Sequence, residues 1–154
     1  MGILSRFFTK KKKIRKREGN PDVYMLPNEN ERMNWGMEKA KLTLHYFKEC
    51  LENPKKEQQY FSIKAKIVDN DKIEHIWLTD PSFDNEGNIY GTVGNEPIDV
   101  KNILINEKIG ITLNFVSDWM IIENGRLIGG YTIRAIREGL TGKELQNFDK
   151  NIGG

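Results

Sequence analysis

The spacing of apolar residues changes between Asn53 and Phe61 in this chain of 154 residues. From Asn28 to Asn53 they recur at steps of three and four, the pattern of one face of an α-helix. From Phe61 onward they recur at every second position, the pattern of a half-buried β-strand. A long helix followed by consecutive strands favours an α+β fold over the repeated strand–helix units of a parallel α/β fold.

Short turn sequences separate the strands that we expect after the helix. Asn124 and Gly125 supply the positive backbone angles of a type I′ turn and predict a hairpin around them. The expected strands are residues 61–67, 73–78, 88–93, 97–100, 110–115, 119–122 and 127–136. No long crossover separates them, so the sheet should be mostly antiparallel.

A second, short helix is expected at the end of the chain, where Thr141 and Glu144 form a capping box. Leu145, Phe148 and Ile152 would dock it on the rest of the domain. The sequence thus predicts a basic arm at residues 1–20 and one α+β domain at residues 21–154. In that domain a long N-terminal helix packs on a strongly bent, mostly antiparallel sheet.

Two adjacent glycines, Gly129 and Gly130, fall inside the last predicted strand. Glycine within a strand usually marks a bulge or a sharp bend. A bend here would give the sheet a concave side lined by aromatic rings and a guanidinium group. We therefore expect a ligand- or partner-binding surface formed by Trp77, Trp119, Tyr131 and Arg134, with Arg134 as the anchor for an anionic group.

Three polar residues are weaker candidates for acid/base catalysis: His75, Glu96 and Asp118. Asp118 beside Trp119 could be a buried carboxylate with a raised pKa, or a carboxylate that accepts backbone N–H bonds. His75 lies on one strand face with Trp77, and Glu96 precedes a proline in a turn. The chain contains none of the motifs of phosphate loops, nucleophile elbows or zinc proteases, which favours a non-enzymatic binding domain. The alternative is a small hydrolase or transferase that uses His75 with Asp118 or Glu96 as acid and base.

The charge of the chain is unevenly distributed. Residues 1–17 contain eight of the 24 basic residues and no acidic one, which leaves 16 basic against 22 acidic residues and a net charge of −6 in the rest. Such an arm is typically disordered. The alternative function is a weak contact with an anionic membrane, with Ile3, Leu4, Phe7 and Phe8 as an interfacial plug. The acidic body makes nucleic acid an unfavourable partner.

Cysteine content limits the remaining possibilities. Cys50 is the single cysteine, which excludes an internal disulfide and, without clustered histidines, disfavours a structural zinc site. No cofactor signature is present, so we expect neither a metal nor a cofactor. These features fit a cytoplasmic protein, with the inner face of the membrane as an alternative location.

Four stretches together resemble a known family: "MNWGMEKAKLTLHYF", "EHIWLTDPSF", "GTVGNEP" and "SDWMIIENGRLIGGYTIR". In this order they are similar to the YegJ-like family of small bacterial domains of unknown function, over about Asn28 to Arg137. The resemblance implies a bacterial source and an α+β fold. It implies no activity, cofactor or catalytic residue.

Overall fold

The structure is a computed structural model that describes residues 29–153. Six strands form one antiparallel sheet in the order β4-β3-β2-β1-β5-β6. In chain order the elements are α1 Glu29–Glu52, β1 Gln58–Asp69, β2 Lys72–Phe83, β3 Ile89–Val93, β4 Lys108–Ile111, a 3-10 turn Leu113–Phe115, β5 Val116–Glu123, β6 Arg126–Gly129, α2 Tyr131–Glu138 and α3 Gly142–Gly153. The predicted α+β class is confirmed, with one helix, α2, that the sequence analysis did not predict.

Helix α1 covers one face of the sheet, as its apolar stripe predicts. Ala40, Phe47 and Cys50 are buried from the helix, and they pack with Ile63 of β1 and Trp119 of β5. The ring of Phe47 lies 5.5 Å from that of Trp119, centroid to centroid. His45 of α1 is exposed. Asn28, where the predicted helix begins, lies outside the described residues.

The loop after β3 covers another part of the same sheet face. Val100 and Ile103 from this loop are buried in a second apolar cluster that includes Ile67 of β1 and Leu78 of β2. A strand was predicted at residues 97–100, and this prediction is wrong. The carboxylate of Glu74 instead accepts the N–H groups of three consecutive residues of the loop at 2.7–3.2 Å: Ile98, Asp99 and Val100.

The opposite sheet face is covered by the C-terminal helices. A third cluster joins Trp77 of β2 and Met120 of β5 to Ile133 of α2 and Phe148 of α3. The predicted C-terminal helix is confirmed, and Phe148 is buried as expected. Both faces of the sheet are therefore packed.

The connection between β4 and β5 requires the sheet to curl. These two strands stand four positions apart in the sheet, which would be about 19 Å in a flat sheet at roughly 4.8 Å per strand. Only residues 112–115 connect them, and three of these form the 3-10 turn, which rises about 2 Å per residue. The 3-10 turn also contacts β1. The chain must cross the curled sheet after Ile111, so β4 ends there. The prediction of a strand at residues 110–115 is therefore correct only for its first two residues.

Bulges in β1 and β2 allow this curl. The pairing register shifts between Gln59 and Ser62, and again between Thr79 and Ser82. Inside these intervals the φ angles of Tyr60 and Asp80 are positive, 54° and 49°. A bulge bends the strand and increases its twist.

The two glycines that were predicted to bend the last strand do something else. β6 ends at Gly129, and residues 131–138 form helix α2 instead of a continued strand. Gly129 and Gly130 have φ angles of 73° and 62°, in the left-handed region. Gly129 and Gly130 thus turn the chain from β6 into α2. The prediction that these glycines bend the sheet within one continuous strand is wrong.

Gly129 also allows a close approach that no other residue would permit. A Cβ atom at this position would lie 2.5 Å from the carbonyl oxygen of Trp119 and 2.6 Å from its ring. We predict that Gly129→Ala lowers the free energy of unfolding by at least about 2 kcal/mol more than Gly87→Ala does. Gly87 is the matched control because its φ is also positive, 84°, but a Cβ there would meet nothing within 4 Å. Urea unfolding of both variants measures the difference, and equal losses would contradict the close approach.

Candidate functional site

An open groove of about 750 Å³ lies between β1 and β4. Its wall residues include Lys66, Val68, Tyr90, Ile109, Ile111 and Phe115. Val68, Tyr90 and Phe115 are 43%, 37% and 42% exposed, which is high for large apolar side chains. Ligand sites are typically concave and mostly apolar with a few polar groups, and this groove has that composition.

The groove exists because β5 pairs with only part of β1. The ladder between the two strands ends at the pair Ala65–Val116, where the 3-10 turn leads the chain away. Beyond this point residues 66–69 of β1 pair only with β2 among the described strands. β4 lies at the end of the described sheet and pairs only with β3 there.

A buried polar network lies on the opposite face of the sheet, around the carboxylate of Asp118. This residue is 0% exposed. Its carboxylate accepts the backbone N–H groups of Trp119, Tyr131 and Thr132 at 2.8, 3.1 and 2.9 Å. The Thr132 hydroxyl donates a further bond of 2.6 Å. Tyr131 and Thr132 are the first residues of α2, so Asp118 caps this helix from a neighbouring strand and complements its dipole.

Lys64 of β1 joins the same network. Its Nζ donates a hydrogen bond of 2.9 Å to the Thr132 hydroxyl and lies 5.7 Å from the ring centroid of Trp77. Burial lowers the pKa of Lys64 to about 7, although the carboxylate of Asp118 favours the charged form. Burial raises the pKa of the Asp118 carboxyl, and Lys64 opposes this shift. The alternating pattern of β1 places Lys64 on the strand face that is polar in sequence. Helices α2 and α3 cover that face, so Lys64 is buried.

His75 meets Ser117 next to this network. The His75 Nδ1 lies 2.6 Å from the Ser117 Oγ, within hydrogen-bond distance. Burial lowers the pKa of His75 to about 4, helped by the positive charges of Lys64 and Lys66. His75 is therefore neutral at pH 7. A serine beside a neutral histidine is the arrangement of a nucleophile and its base, but Ser117 is 2% exposed and its hydroxyl is not open to a substrate.

The four residues predicted to form one binding surface lie in different environments. Trp77 and Trp119 are 2% and 1% exposed and belong to clusters on opposite sheet faces. Tyr131 and Arg134 do lie together, at a small notch where α2 crosses α1. The Arg134 side chain donates to the carbonyl oxygens of Gly129 and Leu127 at 2.9 and 2.6 Å, which ties α2 to β6.

Of the three weaker catalytic candidates, two lie on one face of the sheet and the third lies in a loop. His75 and Asp118 lie on the same sheet face, since their partners Lys66 and Lys64 are two residues apart in β1. Glu96 is exposed in the loop after β3. The neighbouring Asn95 is buried and accepts the Trp77 backbone N–H at 2.9 Å, which has a structural role.

Sequence reasoning missed the groove and two members of the polar network, Lys64 and Ser117. Nothing in the local sequence distinguishes Lys64 from a solvated lysine on an alternating strand. Leu113 and Phe115 were predicted as part of a strand, but both are exposed on the 3-10 turn beside the groove.

Two further features are absent from the described part of the chain. Residues 29–153 contain no group of three or more histidine, cysteine, aspartate or glutamate side chains that could hold a metal ion. None of the helices formed by these residues has the length and apolar composition needed to cross a membrane. The basic arm lies outside the described residues.

Comparison with known proteins gives a family but no activity. Residues 30–154 match the family DUF2314, described as an uncharacterized protein conserved in bacteria. The chain is 38% identical over 79 residues to the uncharacterized protein YegJ of Escherichia coli (strain K12), covering 51% of each chain. It is 30% identical over 143 residues to a putative ankyrin repeat protein of Neisseria meningitidis serogroup B, covering 88% of this chain and 56% of that protein. The chain spans about half the length of these curated relatives. No solved structure matches it with significance.

The lowered pKa of His75 predicts a pH dependence of stability. The unfolded chain binds a proton at His75 near pH 6.5, whereas the folded chain binds it only near pH 4. The unfolded state therefore holds more protons between these values, and the free energy of unfolding should fall as the pH drops from 6.5 to 4. The contribution of His75 to this slope is at most about 1.4 kcal/mol per pH unit.

Urea unfolding of His75→Gln and His45→Gln at several pH values between 4 and 7 measures this contribution. His45 is the matched control because it is exposed on α1. We expect His75→Gln to flatten the slope and His45→Gln to leave it unchanged. The same slope in wild type and His75→Gln would show that the imidazole does not titrate as its burial requires.

Proposed function

We propose that this chain, which belongs to the DUF2314 family of bacterial proteins, is a non-enzymatic binding domain that uses the groove between β1 and β4. The observation that carries the proposal is the groove itself, an open concavity with exposed apolar walls on a curled sheet. Exposed apolar patches of this kind typically mark interaction sites in soluble proteins.

More apolar residues are exposed next to the groove lining in sequence. Leu104 and Ile105 follow the buried Ile103 in the loop and are exposed, and Leu113 is exposed on the 3-10 turn. These residues neighbour lining residues of the groove in sequence. An apolar partner seated there would remove the surface from water, which stabilises a complex by roughly 25 cal/mol per Å² of apolar area.

The geometry favours binding over the acid/base alternative. His75 and Asp118 share a sheet face, but the Asp118 carboxylate already accepts four hydrogen bonds, three of them from the first two residues of α2. A general base must reach the proton that it removes from a substrate, and Asp118 is buried away from solvent. Catalysis by His75 with Glu96, membrane contact through residues 1–17 and the cytoplasmic location stay predictions.

Tyr131 and Arg134 provide a second, smaller surface for the same function. The notch between α1 and α2 also contains Arg32, Trp35, Lys39 and Glu138. Its three basic side chains suit a small anionic ligand or an acidic side chain of a partner. This notch is a weaker candidate than the groove for two reasons. The volume of the notch is only about 80 Å³, and the Arg134 guanidinium already donates to two backbone carbonyls.

Affinity capture with matched variants tests the proposed function. The full chain, Phe115→Asp and Leu42→Asp are immobilised and exposed to a lysate of the native bacterium, and retained proteins are quantified. Leu42 is the control because it is an exposed apolar residue, 72% accessible, on α1 and outside the groove. We expect at least one protein to be retained by wild type and Leu42→Asp and to fall about tenfold or more on Phe115→Asp.

An Arg134→Ala arm separates the two surfaces in the same experiment. If the retained protein is lost from Arg134→Ala but not from Phe115→Asp, the notch is the binding site. If every retained protein binds all variants equally, neither surface binds a partner. Thermal unfolding of each variant shows that the immobilised chains are folded.

A further inference from the structure

We infer that the groove binds its partner as an added β-strand, an extended peptide segment with apolar residues at every second position. The inference rests on the proposed function, because it uses the same groove. It adds the chemical class of the ligand and the atoms that recognise it, namely backbone N–H and C=O groups at the edges of β1 and β4.

The first edge belongs to β1. The carbonyl oxygen of Val68 accepts a hydrogen bond of 3.0 Å from the Asn102 side chain, which lies in the loop and not in β2. The backbone groups of Val68 therefore point away from β2. Backbone groups alternate sides along an antiparallel strand, so those of Lys66 also point away from β2. The pair Ala65–Val116 directs the Lys66 N–H towards the start of β5, which leaves the Lys66 carbonyl and the Val68 N–H at the edge that lines the groove.

The second edge belongs to β4. Within the described sheet β4 has a neighbour on one side only, so every second backbone N–H and C=O of this strand points away from β3. Gly110 and Ile111 of β4 line the groove. The Tyr90 ring packs over Gly110, where a Cβ atom would lie 2.8 Å from it, and so forms an aromatic wall beside this edge.

The size of the groove suits a short strand. With about 3.4 Å of rise, 4.8 Å between strands and 10 Å between packed layers, one strand residue occupies roughly 160 Å³. The groove of about 750 Å³ then holds about four to five residues. β4 has four residues, and residues 66–69 of β1 extend beyond β5 over the same length.

The chemistry of the walls defines the side chains of this strand. Successive side chains of a strand point to opposite faces. One set would meet the apolar floor formed by Ile67, Ile109 and Ile111, and the other would face outward. Adding an extended peptide to exposed strand edges is a common mode of recognition, in which backbone bonds give affinity and pockets for alternate side chains give specificity.

A second copy of the chain is a less suitable occupant. The groove lies between two strand edges, and a single strand can pair with both. An edge strand of a second copy remains attached to its own sheet, so it can offer hydrogen bonds on one side only. A separate extended segment therefore satisfies more backbone groups.

Binding of selected peptides tests the inference. Random octapeptides displayed on phage are selected on the immobilised full chain, and the strongest binder is synthesised with a fluorescein label. We expect fluorescence anisotropy to show saturable binding to wild type and to Leu42→Asp, and about tenfold weaker binding to Phe115→Asp and Val68→Asp. Two twin peptides, N-methylated at either set of alternate residues, should each bind at least tenfold more weakly, since each loses the N–H groups that face one edge.

The outcomes distinguish failure of the inference from failure of the proposed function. If Phe115→Asp weakens binding but both N-methylated twins bind as well as the parent peptide, the groove binds side chains and strand addition is wrong. If Phe115→Asp binds the peptide as well as wild type, the groove is not the site and the proposed function fails with the inference. If selection yields no peptide, strand addition by a partner is wrong. It is also wrong if sedimentation shows a dimer in which a second copy of the chain occupies the groove.

Discussion

The short connection between β4 and β5 is the constraint on which the rest of the structure depends. Four residues, 112–115, join strands that stand four positions apart in the sheet. The sheet can satisfy this connection only by curling, and the bulges at Tyr60 and Asp80 let it do so. The curl places β4 across from the end of β1, where β5 has already separated from it. The groove is thus a direct consequence of the chain path.

The two faces of the curled sheet serve different purposes. One face is filled by α1 and by the loop that Glu74 holds in place. The other face carries the buried network of Lys64, Thr132 and Asp118, which fixes the start of α2. A buried carboxylate with four donors and a lysine with a lowered pKa indicate catalysis in many proteins, but here these groups hold a helix. The proposed binding site is therefore the groove, where apolar side chains remain exposed.

Much of this fold could be predicted from the sequence, because its signals are local. The steps of three and four in α1, the alternation in β1 and β2, and the Asn124–Gly125 turn each identify their element. Helix α2 could not be predicted, since Thr132, Ile133 and Ile136 are residues typical of strands. Its start is stabilised by Asp118, which is more than ten residues away in sequence. Lys64 and the groove were missed for the same reason: both depend on contacts between distant elements.

The central claim is that the end of β1 has an open edge facing the groove. Amide hydrogen exchange of the full chain, resolved by residue, tests it most directly. We predict that the Val68 amide exchanges orders of magnitude faster than that of Ile67, because the Ile67 N–H points to β2 and the Val68 N–H points to the groove. Equal, slow exchange at both amides would show that the Val68 N–H is already bonded, and the open edge would not exist.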